Sequence, residues 1–144
     1  MIRNIVYTYK KKWGFLVAPA YQLSDLVSAC VVGTSKAYIS KSAMETAKLD
    51  FNLNTQTAVL SFIGNDGGLE SPCFINSKQW KNNPNPMNLI MVDAYGFYSG
   101  SIYGYIAFFY QSGTSKWIIK SFKKNNEPGA RNLAFKEMLN KLLN

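Results

Sequence analysis

The chain has 144 residues, 47% hydrophobic and 15% aromatic, a composition that excludes a disordered tail and suffices for the core of one domain. Its 16 basic residues exceed its 8 acidic residues, for a formal net charge of +8, and the excess lies within residues 1–24 and 115–144. This distribution favours a polyanionic partner such as nucleic acid over an acidic small molecule, unless the lysines only keep the surface soluble.

The first third of the chain is predicted to contain two short extended segments and a helix. Residues 5–9 and 13–19 are rich in β-branched and aromatic residues, as strands are. Apolar residues at spacings of three and four then predict a helix over residues 22–33, for which Gly33 is a natural stop.

Two further helices are predicted before the middle of the chain. Residues 40–51 contain Ser42 and, three positions later, Glu45, which is the spacing of a capping box. Residues 54–64 open at Asn54 and repeat apolar residues on one face, which predicts a third helix, although part of this segment also fits a strand.

The second half of the chain is predicted to be mainly extended. Residues 72–77 form a short strand, and residues 81–86, KNNPNP, are a loop by composition. Three apolar and aromatic runs follow and are joined by short turns, which is typical of an antiparallel meander. These runs are residues 88–98, 101–111 and 116–122.

The C-terminal segment and the order of the elements complete the fold prediction. Residues 128–143 carry leucines on one side and lysines on the other, which predicts an amphipathic helix. No repeat or long linker divides the chain, so residues 1–144 are interpreted as a single domain. Helices followed by a meander indicate the α+β class, with an antiparallel β-sheet on which helices pack.

The residue types that are absent restrict the chemistry. The chain has no histidine, which excludes the commonest general base, the usual nucleophile–base pairs and the commonest metal ligand. Its carboxylates form no DxD, ExxE or DxxE pattern, which disfavours a two-metal site. Lysines, tyrosines and amides suit cleavage of RNA by its own 2′-hydroxyl, because the substrate then supplies the nucleophile. We therefore expect neither a metal nor a cofactor.

The location of the protein is predicted from its cysteines and its hydropathy. Cys30 and Cys73 each have apolar neighbours and form no CxxC motif, so they are predicted to be buried free thiols. No apolar segment approaches the roughly 20 residues that span a bilayer. We expect an unprocessed cytoplasmic protein that does not enter a membrane.

Several runs in order, LSDLVSACVVG, SAMETA, VDAYGFYSGSIYGYI and WIIKSFKK, resemble the MqsR family of RelE-like toxins. These are small messenger-RNA interferases of bacterial toxin–antitoxin pairs. The similarity covers about residues 20–124, leaving residues 1–19 as an N-terminal extension and residues 128–143 as an added helix. It implies a RelE-like fold, metal-independent endoribonuclease activity on mRNA, and a cognate antitoxin protein as partner.

The resemblance also implies catalytic residues. The strand tyrosine of the family falls on Tyr103, and its C-terminal lysine falls on Lys123. A second family lysine falls on Asn76, so Lys78, two residues later, is the candidate for that role. The glutamine of the family falls on Val92.

Further residues are implied to bind RNA. Lys120 and Lys124 are expected near a phosphate, and Tyr95 and Tyr105 are expected to stack on unpaired bases. Clustered cations are expected to lower the pKa of a lysine or tyrosine there. For each tyrosine the alternative is packing in the core, because alternate strand positions face it.

Two other functions remain open. One is a non-catalytic basic module that binds RNA or a protein through the same sheet, after loss of the family residues at Asn76 and Val92. It predicts RNA retention with a steep salt dependence and no product. The other is a scaffolding or immunity-type protein, which predicts no retention of RNA at low salt.

Overall fold

The computed structural model describes residues 15–16, 18–85, 87–126 and 142. In these residues three helices and six strands form an α+β arrangement, as predicted, with the strands joined in one sheet. In chain order they are β1 (Phe15–Leu16), α1 (Leu23–Val32), β2 (Ala37–Ile39), α2 (Lys41–Phe51), α3 (Gln56–Gly64), β3 (Glu70–Gln79), β4 (Met91–Ser99), β5 (Ile102–Gln111) and β6 (Lys116–Lys124). The predicted strand 5–9 and the predicted helix 128–143 lie outside the described residues, apart from residue 142.

The strands are arranged in the order β1-β3-β4-β5-β6-β2. All neighbours are antiparallel except β2 and β6, which are parallel. The meander of β4, β5 and β6 confirms the sequence prediction, and Gly100 takes a positive φ of 59° in the first of its tight turns. β3 is longer than the predicted strand over 72–77, because it pairs with β4 over most of its length.

The three predicted helices are confirmed, with different caps at two of them. α1 ends at Gly33, where φ is 114°, as expected of a residue that tolerates this backbone. The predicted cap of α2 at Ser42 is wrong, because Ser40 is the cap and its side chain accepts from the backbone N–H of Ala43. α3 is capped by Thr55, whose hydroxyl accepts from the backbone N–H of Ala58 at 3.0 Å.

Strand β2 was not predicted from the sequence. Its three residues pair with Trp117, Ile118 and Ile119 of β6. On its other edge, the side-chain amide of Gln56 accepts from the N–H of Ile39 at 2.9 Å and donates to the Ile39 carbonyl at 2.7 Å. One amide side chain therefore satisfies both backbone groups that Ile39 turns away from the sheet.

The two faces of the sheet differ in what covers them. The helix-covered face carries Tyr95, Phe97, Ile106, Phe108 and Phe122, which are buried in one core together with residues from all three helices. The opposite face, here called the open face, receives the alternate residues of the same strands. The open face of the central strands includes Asn76, Lys78, Ala94, Gly96, Tyr103, Tyr105, Ala107, Ser121 and Lys123.

A buried carboxylate connects the segment before α1 to the sheet. Asp93 on β4 is fully buried, and its two carboxylate oxygens accept from the backbone N–H groups of Ala20 and Tyr21 at 3.0 and 2.9 Å. The Tyr21 hydroxyl donates to the carbonyl of Met91 at 2.8 Å. The chain entering α1 is therefore held against β4 by three long-range hydrogen bonds.

The cysteine prediction is correct for one thiol only. Cys30 on α1 is 2% exposed and lies in the core, whereas Cys73 on β3 is exposed, so its predicted burial is wrong. Burial raises the pKa of the Cys30 thiol to about 12. In the part of the chain that the structure describes, no helix is long and apolar enough to cross a membrane.

Candidate nucleic-acid interface

A cavity of about 270 Å³, here called the basic cavity, lies on the open face where β3, β4, β5 and β6 run side by side. Ala94 and Ala107, paired across β4 and β5, contribute short side chains to its lining. Lys78, Lys81 and Lys120 lie around it. The small side chains leave space above the centre of the sheet, and the lysines surround that space with positive charge.

The lining carries cations and neutral polar groups. None of the described residues that line the basic cavity has a carboxylate. Asn76, Ser121 and Tyr105 add an amide and two hydroxyl groups. Lysine ammonium groups attract an anion, and neutral donors can orient its oxygens, so the cavity is suited to a phosphate.

A β-bulge places Lys120 in this site. Ala107 pairs with Ser121 and Phe108 pairs with Ile119, so Lys120 is the extra residue of β6. Without a bulge, Lys120 and Ser121 would turn to opposite faces, but here both line the basic cavity. The hydroxyl of Ser40 donates to the Lys120 carbonyl at 3.1 Å and anchors the bulge to the start of α2.

Lys123 lies beside the basic cavity rather than in its lining. It pairs with Tyr105 across β5 and β6, and its Nζ atom is 5.5 Å from the centroid of the Tyr105 ring. This is a cation–π distance, so Tyr105 holds the ammonium group over its ring. Tyr105 therefore connects Lys123 to the lysines that surround the cavity.

Tyr103 is on the open face, as predicted, but it is directed away from Lys123. Its hydroxyl lies over Gly96 of β4, where an added Cβ would overlap it, whereas Lys123 is on β6 at the other side of β5. Tyr103 is only 8% exposed. Its ring covers the bare backbone at Gly96, which gives it a packing role.

The tyrosine pKa values change in the opposite direction to the one expected from the sequence. Burial raises the pKa of Tyr103, with smaller contributions from Cys73 and Tyr98. Burial also raises the pKa of Tyr105. Desolvation disfavours the phenolate form, so both side chains are neutral hydroxyl groups near neutral pH. Tyr105 can donate a hydrogen bond to a phosphate, but its protonated hydroxyl cannot serve as a general base.

Two predicted RNA-binding residues lie on the helix-covered face. Tyr95 is 8% exposed and packs between Phe74 and Phe108, with ring centroids 5.6 and 6.0 Å apart. The structure therefore places Tyr95 against the core, on the face of the sheet opposite the basic cavity. Lys124 lies two residues after Phe122 on β6 and therefore faces the same side of the sheet. Its backbone N–H donates to Asp50 of α2 at 2.9 Å.

Sequence reasoning missed three residues of this site. Lys81 and Ser121 line the basic cavity, and so does Trp80, whose ring stacks on Phe109 at 4.5 Å between centroids. The segment KQWK carried the available signal, since it sets a tryptophan between two lysines at the end of a strand.

The arrangement can hold a phosphodiester and stabilise added negative charge on it. Within the described residues, no group of three or more cysteine, aspartate or glutamate side chains is placed to hold a metal ion. Comparison with protein-family models, curated proteins and solved structures gives no match to this chain. The feature of this chain that indicates a function is therefore the chemistry of the basic cavity.

Proposed function

We propose that this protein is the toxin of a toxin–antitoxin pair, a metal-independent endoribonuclease that binds messenger RNA on its open face. The observation that carries the proposal is the basic cavity, which Lys78, Lys81 and Lys120 help to line and in which no described lining residue is acidic. The likeness to RelE-like toxins in the order of sequence motifs supports the same class. Because messenger RNA is the proposed substrate, the proposed location is the cytoplasm. The proposed protein partner is a cognate antitoxin.

In this proposal, the scissile phosphate occupies the basic cavity. Lys78 and Lys120 contact its oxygens, and Lys123 adds positive charge from above the Tyr105 ring. The 2′-oxygen of the RNA bonds to phosphorus and releases its proton to water, while the bond from phosphorus to the 5′-oxygen breaks. That oxygen takes a proton from a lysine ammonium or from the Tyr105 hydroxyl. The products are a 2′,3′-cyclic phosphate and a 5′-hydroxyl.

A second candidate is a module that binds RNA without cleaving it. The position of Tyr103 favours this candidate, because its hydroxyl lies over Gly96, away from Lys123. Burial also raises the pKa of both Tyr103 and Tyr105, which leaves neither as an effective base at neutral pH. The same lysines would then retain RNA through its phosphates alone.

The deciding experiment is cleavage of a defined messenger RNA by the purified protein in EDTA, with the product ends mapped. We expect cyclic-phosphate ends that Lys120→Ala and Lys123→Ala reduce strongly. Lys124→Ala is the matched control, because it removes the same charge one residue further along β6 but from the helix-covered face. We expect it to leave cleavage near the wild-type rate.

Three results separate the candidates. RNA that is retained at low salt but stays intact in every reaction contradicts the ribonuclease and supports the binding module. RNA that is neither retained nor cut contradicts both and supports a scaffolding or immunity-type protein. Equal losses from Lys123→Ala and Lys124→Ala would show that only net charge matters and would contradict a site on the open face.

A further inference from the structure

A second cavity, of about 510 Å³, lies beside the loop that connects β3 and β4, and it is here called the end cavity. Its described lining combines aromatic side chains with neutral amides. The aromatic residues are Tyr21, Trp80 and Tyr110, and the amide residues are Asn83, Asn85, Asn88 and Gln111. None of the described residues that line it is charged.

Trp80 lines both cavities, so the end cavity adjoins the basic cavity. The volumes of the two cavities indicate what each can hold. Sites for small organic molecules measure roughly 300–1,000 Å³. The end cavity is in this range, while the basic cavity, at about 270 Å³, is below it. The smaller space suits a phosphate, and the larger space has room for an uncharged ring.

The aromatic side chains of the end cavity are held in place by their neighbours. The rings of Tyr21 and Tyr110 each contact Trp117, with centroids 5.4 and 5.1 Å apart. Trp80 is stacked on Phe109 with an interplanar angle of 29°. Side chains that are already ordered lose little conformational entropy when a ligand packs on them.

The loop beside the end cavity is shaped by its own asparagines. Asn83 donates to the carbonyl of Asn88 and accepts from the backbone N–H of Asn85 at 3.0 Å. The side-chain oxygen of Asn85 accepts a hydrogen bond from the backbone N–H of Met87 at 3.2 Å. Within the described part of the chain, the Nδ2 group of Asn85 donates to no protein atom, so this donor is available to a ligand.

We propose that the end cavity binds an unpaired nucleobase of the RNA whose neighbouring phosphate occupies the basic cavity, an inference that rests on the proposed function. A nucleotide has an anionic part and a neutral aromatic part, and the two adjoining cavities have those two chemistries. Trp80, which lines both cavities, provides the ring on which a base stacks. Asn85 provides an amide that hydrogen-bonds to the edge of the base.

The test measures binding of short 2′-O-methyl RNA oligomers by fluorescence anisotropy at low salt. The methyl group blocks the 2′-hydroxyl, so binding is observed without cleavage. One oligomer carries all its bases and the matched oligomer carries abasic residues. We expect the abasic oligomer to bind the wild-type protein roughly tenfold more weakly, since stacking on an aromatic side chain is lost.

Variants of both cavities separate the two contributions. Trp80→Ala should weaken binding of the intact oligomer by a similar factor and leave binding of the abasic oligomer almost unchanged. Lys78→Ala should weaken both oligomers equally, because it acts on the phosphate. Trp80→Phe, which keeps an aromatic ring, should restore most of the affinity. Asn85→Ala, in an exposed part of the loop, should reduce discrimination among the four bases.

Equal affinity of the wild-type protein for the intact and abasic oligomers would overturn the nucleobase site while leaving RNA binding in place. An equal loss for both oligomers in Trp80→Ala would also overturn it, because Trp80 would then act only on the basic cavity. If neither oligomer binds, the proposed function is overturned, and the nucleobase site with it.

Discussion

The two faces of the sheet are built from the same strands and differ in the residues that alternation assigns to them. On the helix-covered face, Phe97 and Phe122 are fully buried among residues of the helices. On the open face, the short side chains of Ala94 and Ala107 leave a space surrounded by lysines. Hydrophobic burial is therefore concentrated on one face, and lysine side chains lie around a cavity on the other.

This difference means that neighbouring residues can have unrelated roles. Lys123 lies over the Tyr105 ring on the open face, while Lys124 turns to the helix-covered face beside α2. Substitutions on the helix-covered face should change the free energy of unfolding, and substitutions on the open face should change binding. Variants on the two faces therefore test that separation.

Phe97→Ala should have the largest effect. Phe97 is fully buried, packs against Phe51 and Phe122 with centroids 5.8 and 5.5 Å apart, and covers Gly104. Loss of a buried phenylalanine and the resulting cavity lower the free energy of unfolding by about 3–5 kcal/mol. Denaturant unfolding followed by circular dichroism measures this. A change below about 1 kcal/mol would contradict the assignment of Phe97 to the core.

Alkaline pH should lower the free energy of unfolding through the buried thiol of Cys30. Burial raises the pKa of Cys30 from 9.0 to about 12, so the native state keeps a proton that the unfolded chain releases. The stability that depends on the neutral thiol is fully present below pH 9 and is lost as the pH rises to about 12. The expected slope is roughly −1.4 kcal/mol per pH unit.

Cys30→Ala should remove this slope from the pH dependence of unfolding. Cys73→Ala is the matched control, since its thiol is exposed, and it should leave the slope unchanged. Equal pH dependences in the two variants would contradict the difference in burial.

The third prediction compares Asp93 with Asp50, two carboxylates that accept backbone N–H groups. Asp93→Ala removes the acceptor of two long-range hydrogen bonds, to Ala20 and Tyr21, and should lower the free energy of unfolding by roughly 1–3 kcal/mol. Asp50→Ala, which removes an exposed carboxylate bonded to the Lys124 N–H, should have a smaller effect. Thermal unfolding of both variants measures the difference, and a larger loss for Asp50→Ala would reverse the comparison.

The smallest expected change in stability is on the open face. Lys120→Ala should alter the free energy of unfolding by no more than about 0.5 kcal/mol. It should nevertheless weaken RNA binding and reduce the slope of log affinity against log salt by about 1, as expected for one lost phosphate contact. Filter binding over a salt series measures this slope. An unchanged slope would place the RNA away from the basic cavity.

The elements of the fold were largely predictable because each has a local signal. Periodic apolar residues and the stop at Gly33 mark α1, and short turns mark the meander. The cap of α2 was misplaced because Ser40 and Ser42 both have the right chemistry, and only the anchoring of Ser40 to β6 distinguishes them. β2 was missed because its three residues form a strand only through parallel pairing with β6.

The site was only partly predictable. Alternation alone places Tyr103, Tyr105 and Lys123 on one face, and the structure agrees. The direction of Tyr103 toward Gly96 depends on the neighbouring strand, and the position of Lys120 depends on a bulge, neither of which has a local signal. The raised pKa of Tyr105 depends on its burial in the folded chain, so the sequence did not reveal its direction.

The amide of Gln56 has a consequence for the behaviour of many copies of the chain in solution. An edge strand with free backbone groups can recruit a strand from another molecule and begin aggregation. At β2 the outward N–H and C=O of Ile39 are both occupied by Gln56. A strand from a second copy of the chain must first displace the Gln56 side chain. This edge of the sheet, where β2 is only three residues long, therefore resists growth into a fibril.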